Sequence, residues 1–330
     1  MNYVFALGAD DPEMSAIEAL LKNAGQEIVY ASKPDGNRVT PVTAYNATIT
    51  PEIRDALAGP GTLVFVECAV SLQGITGCTD VIVVDHHRAA EMPMHAGFCD
   101  CGNFFQGYGT GNSCLQCGRV WRDSDPGYGK PAAEYWQASS IGQVCSLLGI
   151  EPTAELLLVA AADHCLAAAY AGQCPGVDPA ALAEYRIEQL CSASRASNRG
   201  VARTPEEVRE SIAAARTKIT ISPEVEIGTN CAGQQFIVLD MRGDTVPDLP
   251  EAACQLGVGY LAGGLSLREG DPPKIVLGGC GEGTIPGTAP VEAFLAAARS
   301  GEAAGVRVHT DGPLKPYGDP ARGFAGAYIL

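Results

Sequence analysis

Three groupings in this 330-residue chain bring chemically capable side chains together. The first is Asp85-His86-His87-Arg88, directly after the apolar run Val81-Ile82-Val83-Val84. An acid and two adjacent imidazoles are costly to bury without several partners. Their place at the end of a strand-like run therefore points to a divalent-metal and phosphate site rather than to packing. The second grouping is a pair of knuckles, Cys99-Asp100-Cys101-Gly102 and Cys114-Leu115-Gln116-Cys117-Gly118. Four thiolates so spaced suit tetrahedral Zn²⁺, the glycines permit tight turns, and His95 is an alternative ligand. The third is glycine-rich: Gly278, Gly279 and Gly281 lie in one loop, and Arg322 lies in another between Gly318 and Gly326. Such backbones can approach an anion closely, although plain turns use the same glycines.

The elements that must position these groups follow from hydrophobic periodicity. The sequence predicts a strand at 3–8 and then a helix at 13–24, where Met14, Ile17, Leu20 and Leu21 fall at helical spacing and Gly25 ends the run. A strand at 27–31, a short helix at 51–58 and strands at 62–67 and 80–85 come next. Continuous apolar strands alternating with helices indicate a parallel sheet covered on both faces. Ligands of open α/β sheets bind beyond the carboxyl ends of the strands, where Glu67 and Asp85 stand. Residues 95–130 break the pattern with Gly, Cys and aromatic residues and read as inserted. Phe104, Phe105, Tyr108 and Trp121 there suit either the small core of a zinc ribbon or the stacking of a base. Helices are predicted at 132–148 and 153–170, and 178–217 reads as a helical connection. Beyond about 222, strands at 225–227, 236–240 and 274–277 accompany helices at 249–256 and 290–300.

Composition sets bounds on partners. The length suits two domains, and 46% hydrophobic with 18% charged residues is globular. With 22 basic against 38 acidic residues, the net charge of −16 repels long duplex nucleic acid; a metal can still invert the field locally for a small phosphate ligand. No apolar window is long enough for a membrane span, and Met1–Leu7 reads as a strand rather than an export signal. The 13 cysteines then suit a reducing, cytoplasmic setting, and a homodimer stays open.

Val83-Val84-Asp85-His86-His87-Arg88 resembles the third motif of the DHH phosphoesterase superfamily, whose members include single-strand exonucleases, oligoribonucleases, cyclic-dinucleotide phosphodiesterases and family II inorganic pyrophosphatases. Gly8-Ala9-Asp10-Asp11-Pro12-Glu13-Met14-Ser15 resembles the first motif, but its histidine ligand is replaced by Ala9 and its two aspartates by Glu13 and Ser15. Glu67 stands for the aspartate of the second motif. Ala138-Ser139-Ser140 resembles the helix start before the fourth motif, and Asp163 resembles that motif's aspartate. The resemblance implies one or two Mn²⁺ or Mg²⁺ ions held by Glu67, His86 and Asp163, with Glu13 contributing and Asp10 or Asp11 near enough to substitute. It implies His87 and Arg88 beside the substrate phosphate and Asp85 orienting an imidazole. It also implies a second, DHHA1-like domain whose glycine loop and Arg322 grip the substrate.

The expected architecture is α/β: a parallel-sheet DHH-like domain over 1–170 with a zinc-binding insert at about 95–125, a helical connection over 171–221, and a DHHA1-like α/β domain over 222–330. The expected activity is metal-dependent hydrolysis of a small nucleotide or short oligonucleotide phosphoester in an interdomain cleft. The alternative is a catalytically impaired relative that binds nucleotides or docks a partner.

Overall fold

A computed structural model of the chain describes residues 3–40, 43–44, 47–59, 61–68, 70, 80–86, 112–113, 120–123, 130–196, 202–229, 235–263, 272–281, 283–284, 287–311, 314–319 and 323–330. The chain divides into two compact units, the first comprising Met1–Lys130 and Glu134–His164 and the second Pro131–Ala133 and Cys165–Leu330.

The first unit is an α/β layer structure. Its strands are β1 (Tyr3–Leu7), β2 (Glu27–Tyr30), β3 (Thr62–Val66), β4 (Asp80–Val84), β5 (Asn112–Ser113) and β6 (Val120–Asp123). They stand in the order β2-β1-β3-β4-β6-β5, all parallel except β5 against β6. Side chains alternate between the two faces of each strand. Val4, Ala6, Leu63, Phe65 and Val81 therefore join one core with Ile53 of helix α2 (Pro51–Ala58). Phe5, Leu7, Val64 and Val66 point to the opposite face and are fully buried there. Helix α1 (Pro12–Asn23) buries Met14, Ile17 and Leu21. After α2 the remaining described α-helices of this unit are α3 (Tyr135–Ala138), α4 (Ser140–Leu148) and α5 (Ala154–His164).

Two differences from the sequence reading matter for the site. The predicted helix at 132–148 breaks at Ser139, which turns to an extended conformation and caps α4 by accepting a hydrogen bond from Gly142 N–H at 3.1 Å. In addition, the stretch read as inserted is not wholly so. The backbone at Val120–Asp123 pairs parallel to β4, and Asn112–Ser113 pairs against it in turn. The open edge of β4 needs a partner, and Val120 and Trp121 are residue types that favour strands.

The second unit holds α6 (Leu166–Tyr170), α7 (Pro179–Ala196), α8 (Pro205–Ile221), β7 (Glu224–Thr229), β8 (Gln235–Arg242), α9 (Leu249–Leu256), β9 (Tyr260–Gly263), β10 (Lys274–Gly278), α10 (Ala289–Arg299), β11 (Glu302–Ala303), β12 (Val306–Arg307), β13 (Tyr317–Asp319) and β14 (Phe324–Tyr328). Six strands form a mixed sheet, β13-β14-β10-β9-β8-β7, in which only β8 and β9 run parallel. α10 covers this sheet with Val291, Phe294, Leu295 and Ala298. α7 and α8, read from the sequence as a connection, share a core with α9 in this unit through Ile187, Cys191, Val208, Ile212 and Ala252. The predicted single helix at 153–170 is interrupted at Cys165, whose φ is −148°. Among the described residues, no helix is long and apolar enough to cross a membrane.

Candidate metal centre

The sheet register places three chain ends side by side. Leu7 pairs with Val66 and Val66 with Val84, so Gly8, Glu67 and Asp85 follow one another across the carboxyl edge. Backbone bonds continue the ladder there, with Gly8 N–H donating to Val66 O at 3.0 Å and Glu67 N–H to Val84 O at 2.9 Å. Glu67 takes a left-handed conformation, φ 49°, which costs an L residue about 1–2 kcal/mol. Gly8 permits this crossing: a Cβ at position 8 would run into the carbonyl oxygen of Glu67. The Arg38 guanidinium fixes the same turn, its Nε donating to Gly8 O at 2.8 Å.

Helix starts supply the rest of the frame. Asp11 caps α1 by accepting from Met14 N–H at 2.7 Å, and Pro12 at the first helical position has no N–H to satisfy. This swings Glu13, 1% exposed, inward from the first turn. At the start of α4, Ile141 N–H donates to Glu13 Oε1 at 3.0 Å. Ser140 Oγ donates to Glu67 Oε1 at 2.6 Å and lies 3.2 Å from His86 Nδ1. Asp163, near the end of α5, brings Oδ2 to 3.1 Å from His86 Nε2. His86 Nδ1 lies 3.3 Å from Glu67 Oε1 and 3.6 Å from Glu13 Oε2. His164 stands edge-on to the His86 ring, with centroids 5.5 Å apart.

Glu13, Glu67, His86 and Asp163 thus form a group that can hold a metal ion, with ligand atoms all within 4.8 Å of one another. Its electrostatics ask for a cation. Glu13 is pushed well above the ordinary carboxylate range by burial and then by the nearby Asp163 carboxylate, while His86 opposes. Asp11, at the rim, is raised to about 6 by burial, with Glu67 next in effect. Burial alone would push the His86 imidazole down, but Glu67, Asp163 and Glu13 outweigh it and hold it at about 10. Glu13 Oε2 is buried and has no hydrogen-bond partner among the described residues. A buried acceptor left over among three carboxylates and an imidazole fits a divalent cation.

Of the residues expected from the sequence, Glu13, Glu67, His86 and Asp163 are brought together. Asp85 is buried beside them, and Gln143 Nε2 donates to its carbonyl oxygen at 2.9 Å; its carboxylate is not part of the four-residue group. Ala9 is buried, and exposed Ser15 donates to Asp10 Oδ1 at 3.1 Å. Neither Asp10 nor Asp11 enters the group. Gly278, Gly279 and Gly281 lie in the second unit. There Gly278 faces the Tyr260 ring, Gly279 the Val258 carbonyl and Gly281 the Gly323 backbone, so close packing by itself accounts for the first two. His87, Arg88, Cys99, Cys101, Cys114, Cys117 and Arg322 lie outside the described residues. Sequence reasoning missed Ser140 as a partner of the ligands; its only signal was the Ser139-Ser140 pair at a helix start.

A scan of protein-family models finds none that matches this chain. A search of curated proteins finds no match either.

Proposed function

We propose that this chain is a metal-dependent phosphoesterase acting on a small nucleotide or a short oligonucleotide. The observation that carries this reading is the buried Glu13, Glu67, His86 and Asp163 group beyond the carboxyl ends of parallel strands. Three carboxylates with one imidazole favour Mn²⁺ or Mg²⁺ over metals that prefer thiolates. A divalent ion held there supplies charge neutralisation for phosphoryl oxygens and a bound water of lowered pKa. Glu13 and Glu67 are buried away from bulk water, so their interaction with a bound cation would act at low dielectric. His87 and Arg88 are assigned to the substrate phosphate, and Asp85 to orienting an imidazole, on their place beside His86. Gly278, Gly279, Gly281 and Arg322 are assigned to substrate binding, and the four cysteines to structural Zn²⁺, on sequence grounds. The net charge of −16 favours a small substrate over a polymer.

The test is hydrolysis of bis(p-nitrophenyl) phosphate and of a short single-stranded oligonucleotide with added Mn²⁺. Activity is expected with Mn²⁺ and is lost in EDTA and in His86→Ala. Metal analysis of protein purified under reducing conditions is expected to find Zn²⁺. A second reading, a nucleotide-binding module without turnover, is favoured by one observation: Ala9 offers no ligand and Ser15 is turned to Asp10. Nucleotide binding with no hydrolysis under any divalent ion would select it.

A further inference from the structure

We propose that Ser140 is a positioning residue for the metal centre: its single hydroxyl locks Glu67 and His86 together and fixes which imidazole nitrogen faces the ion. This rests on the metal-centre reading above. The Ser140 side chain is fully buried, and its Oγ reaches both Glu67 Oε1, at 2.6 Å, and His86 Nδ1, at 3.2 Å. A serine hydroxyl has one proton and two lone pairs. The short contact takes the proton, Ser140 Oγ donating and the Glu67 carboxyl oxygen accepting. What Oγ then offers His86 is a lone pair, so Nδ1 must carry a hydrogen. With Nδ1 so occupied, Nε2 is the ring nitrogen that would offer a lone pair to an ion. Nε2 lies 3.1 Å from Asp163 Oδ2, while Nδ1 lies 3.3 Å from Glu67 Oε1 and 3.6 Å from Glu13 Oε2 on the Ser140 side of the ring.

The backbone makes the arrangement rigid. Ser139 caps α4, which puts Ser140 at the first helical position, and the neighbouring Ile141 N–H holds Glu13 at 3.0 Å. One helix start therefore governs three of the four ligands, two through the hydroxyl and one through an amide. Gly142 is required for it to sit there, since a Cβ at that position would collide with the Trp136 carbonyl.

The experiment compares Mn²⁺ binding by calorimetry in the wild-type chain, Ser140→Ala and Ser140→Thr. Groups that orient metal ligands typically change affinity by about 10- to 100-fold when removed. Ser140→Ala is expected to weaken Mn²⁺ binding within that range, and Ser140→Thr, which keeps the hydroxyl, to recover most of the loss. Melting in EDTA checks that each variant folds. A second measurement needs no variant: ¹⁵N-histidine spectra of the Mg²⁺-loaded wild-type chain should show His86 protonated at Nδ1. Equal Mn²⁺ affinity in folded Ser140→Ala, or a bare Nδ1 in the loaded wild type, would overturn the inference and leave the metal centre standing. No divalent-ion binding by the wild-type chain would overturn the metal centre and this inference with it.

Discussion

Glu13 in the first unit and Glu251 in the second are almost equally buried, at 1% and 3% exposure, and meet opposite surroundings. Each Glu251 oxygen has a donor of its own. The Tyr170 hydroxyl donates to Oε1, and Arg186 Nε donates to Oε2 at 2.9 Å. Gln189 in turn accepts from the same guanidinium, so the network closes on protein atoms. Glu13 has an amide on one oxygen and no hydrogen-bond donor on the other among the described residues, and Asp163 and Glu67 crowd around it. A buried acid with its cation built in is a structural joint. A buried acid among other acids, with one imidazole between them, is a site that a cation from solution can balance.

The largest expected effect removes the imidazole at the centre of the group. His86→Ala should lower Mn²⁺-dependent phosphodiester hydrolysis by more than about a hundredfold, beyond the range of changes that only orient ligands. An unchanged rate would break the comparison on the Glu13 side. On the other side, Glu251→Gln leaves Arg186 without its carboxylate partner. Breaking such a pair costs about 3–5 kcal/mol when both groups are fully buried, and the partial exposure of Arg186 reduces this to about 2 kcal/mol. Urea unfolding should show that loss, and added Mn²⁺ should leave the difference from wild type unchanged.

The third expectation concerns pH. Asp11, at about 6 against its ordinary 3.8, and His86, at about 10 against 6.5, bind protons more tightly in the metal-free fold than in the unfolded chain. Glu13 shifts in the same direction. The stability these protons contribute is complete below the ordinary values. It is lost as pH rises through about 6 for Asp11 and about 10 for His86. A cation held by the group displaces the protons on His86 and Glu13, so Mn²⁺ should raise the melting temperature more at about pH 8 than at about pH 6. Equal shifts at the two pH values would mean that the cation binds elsewhere. The smallest effect is Glu67→Asn. Asparagine tolerates the left-handed backbone, which offsets part of the loss of the buried Ser140 hydrogen bond, so the metal-free protein should stay within about 1 kcal/mol of wild type in urea unfolding while losing Mn²⁺ affinity.

The two regions also differ in how far the sequence discloses them. The ends of β1, β3 and β4 are legible because a doubly covered parallel strand needs a continuous apolar run, and those runs stop at Gly8, Glu67 and Asp85. His86 follows from the same logic, and Asp163 only from the resemblance of its motif. Ser140 is not legible, since a serine at a helix start has ordinary uses and only the tertiary fold joins residues 67, 86 and 140. In the second unit, β9 and β14 read Tyr-Leu-Ala-Gly and Phe-Ala-Gly-Ala-Tyr. Alanine and glycine have little strand preference of their own, and pairing on either side of β10 holds them in the sheet. The interruption at Cys165 has neither glycine nor proline to announce it.

The passage of Gly8 against the Glu67 carbonyl ties two distant positions into one unit of inheritance. A side chain at position 8 is admissible only after the crossing at 67 has opened, and opening it withdraws an acid from the centre. The two changes are therefore non-additive, and their order matters. A lineage in which the backbone at 67 has moved aside is then free to vary position 8. One that still needs the acid is confined to glycine there, so a side chain at position 8 marks a descendant in which the crossing at 67 has already opened.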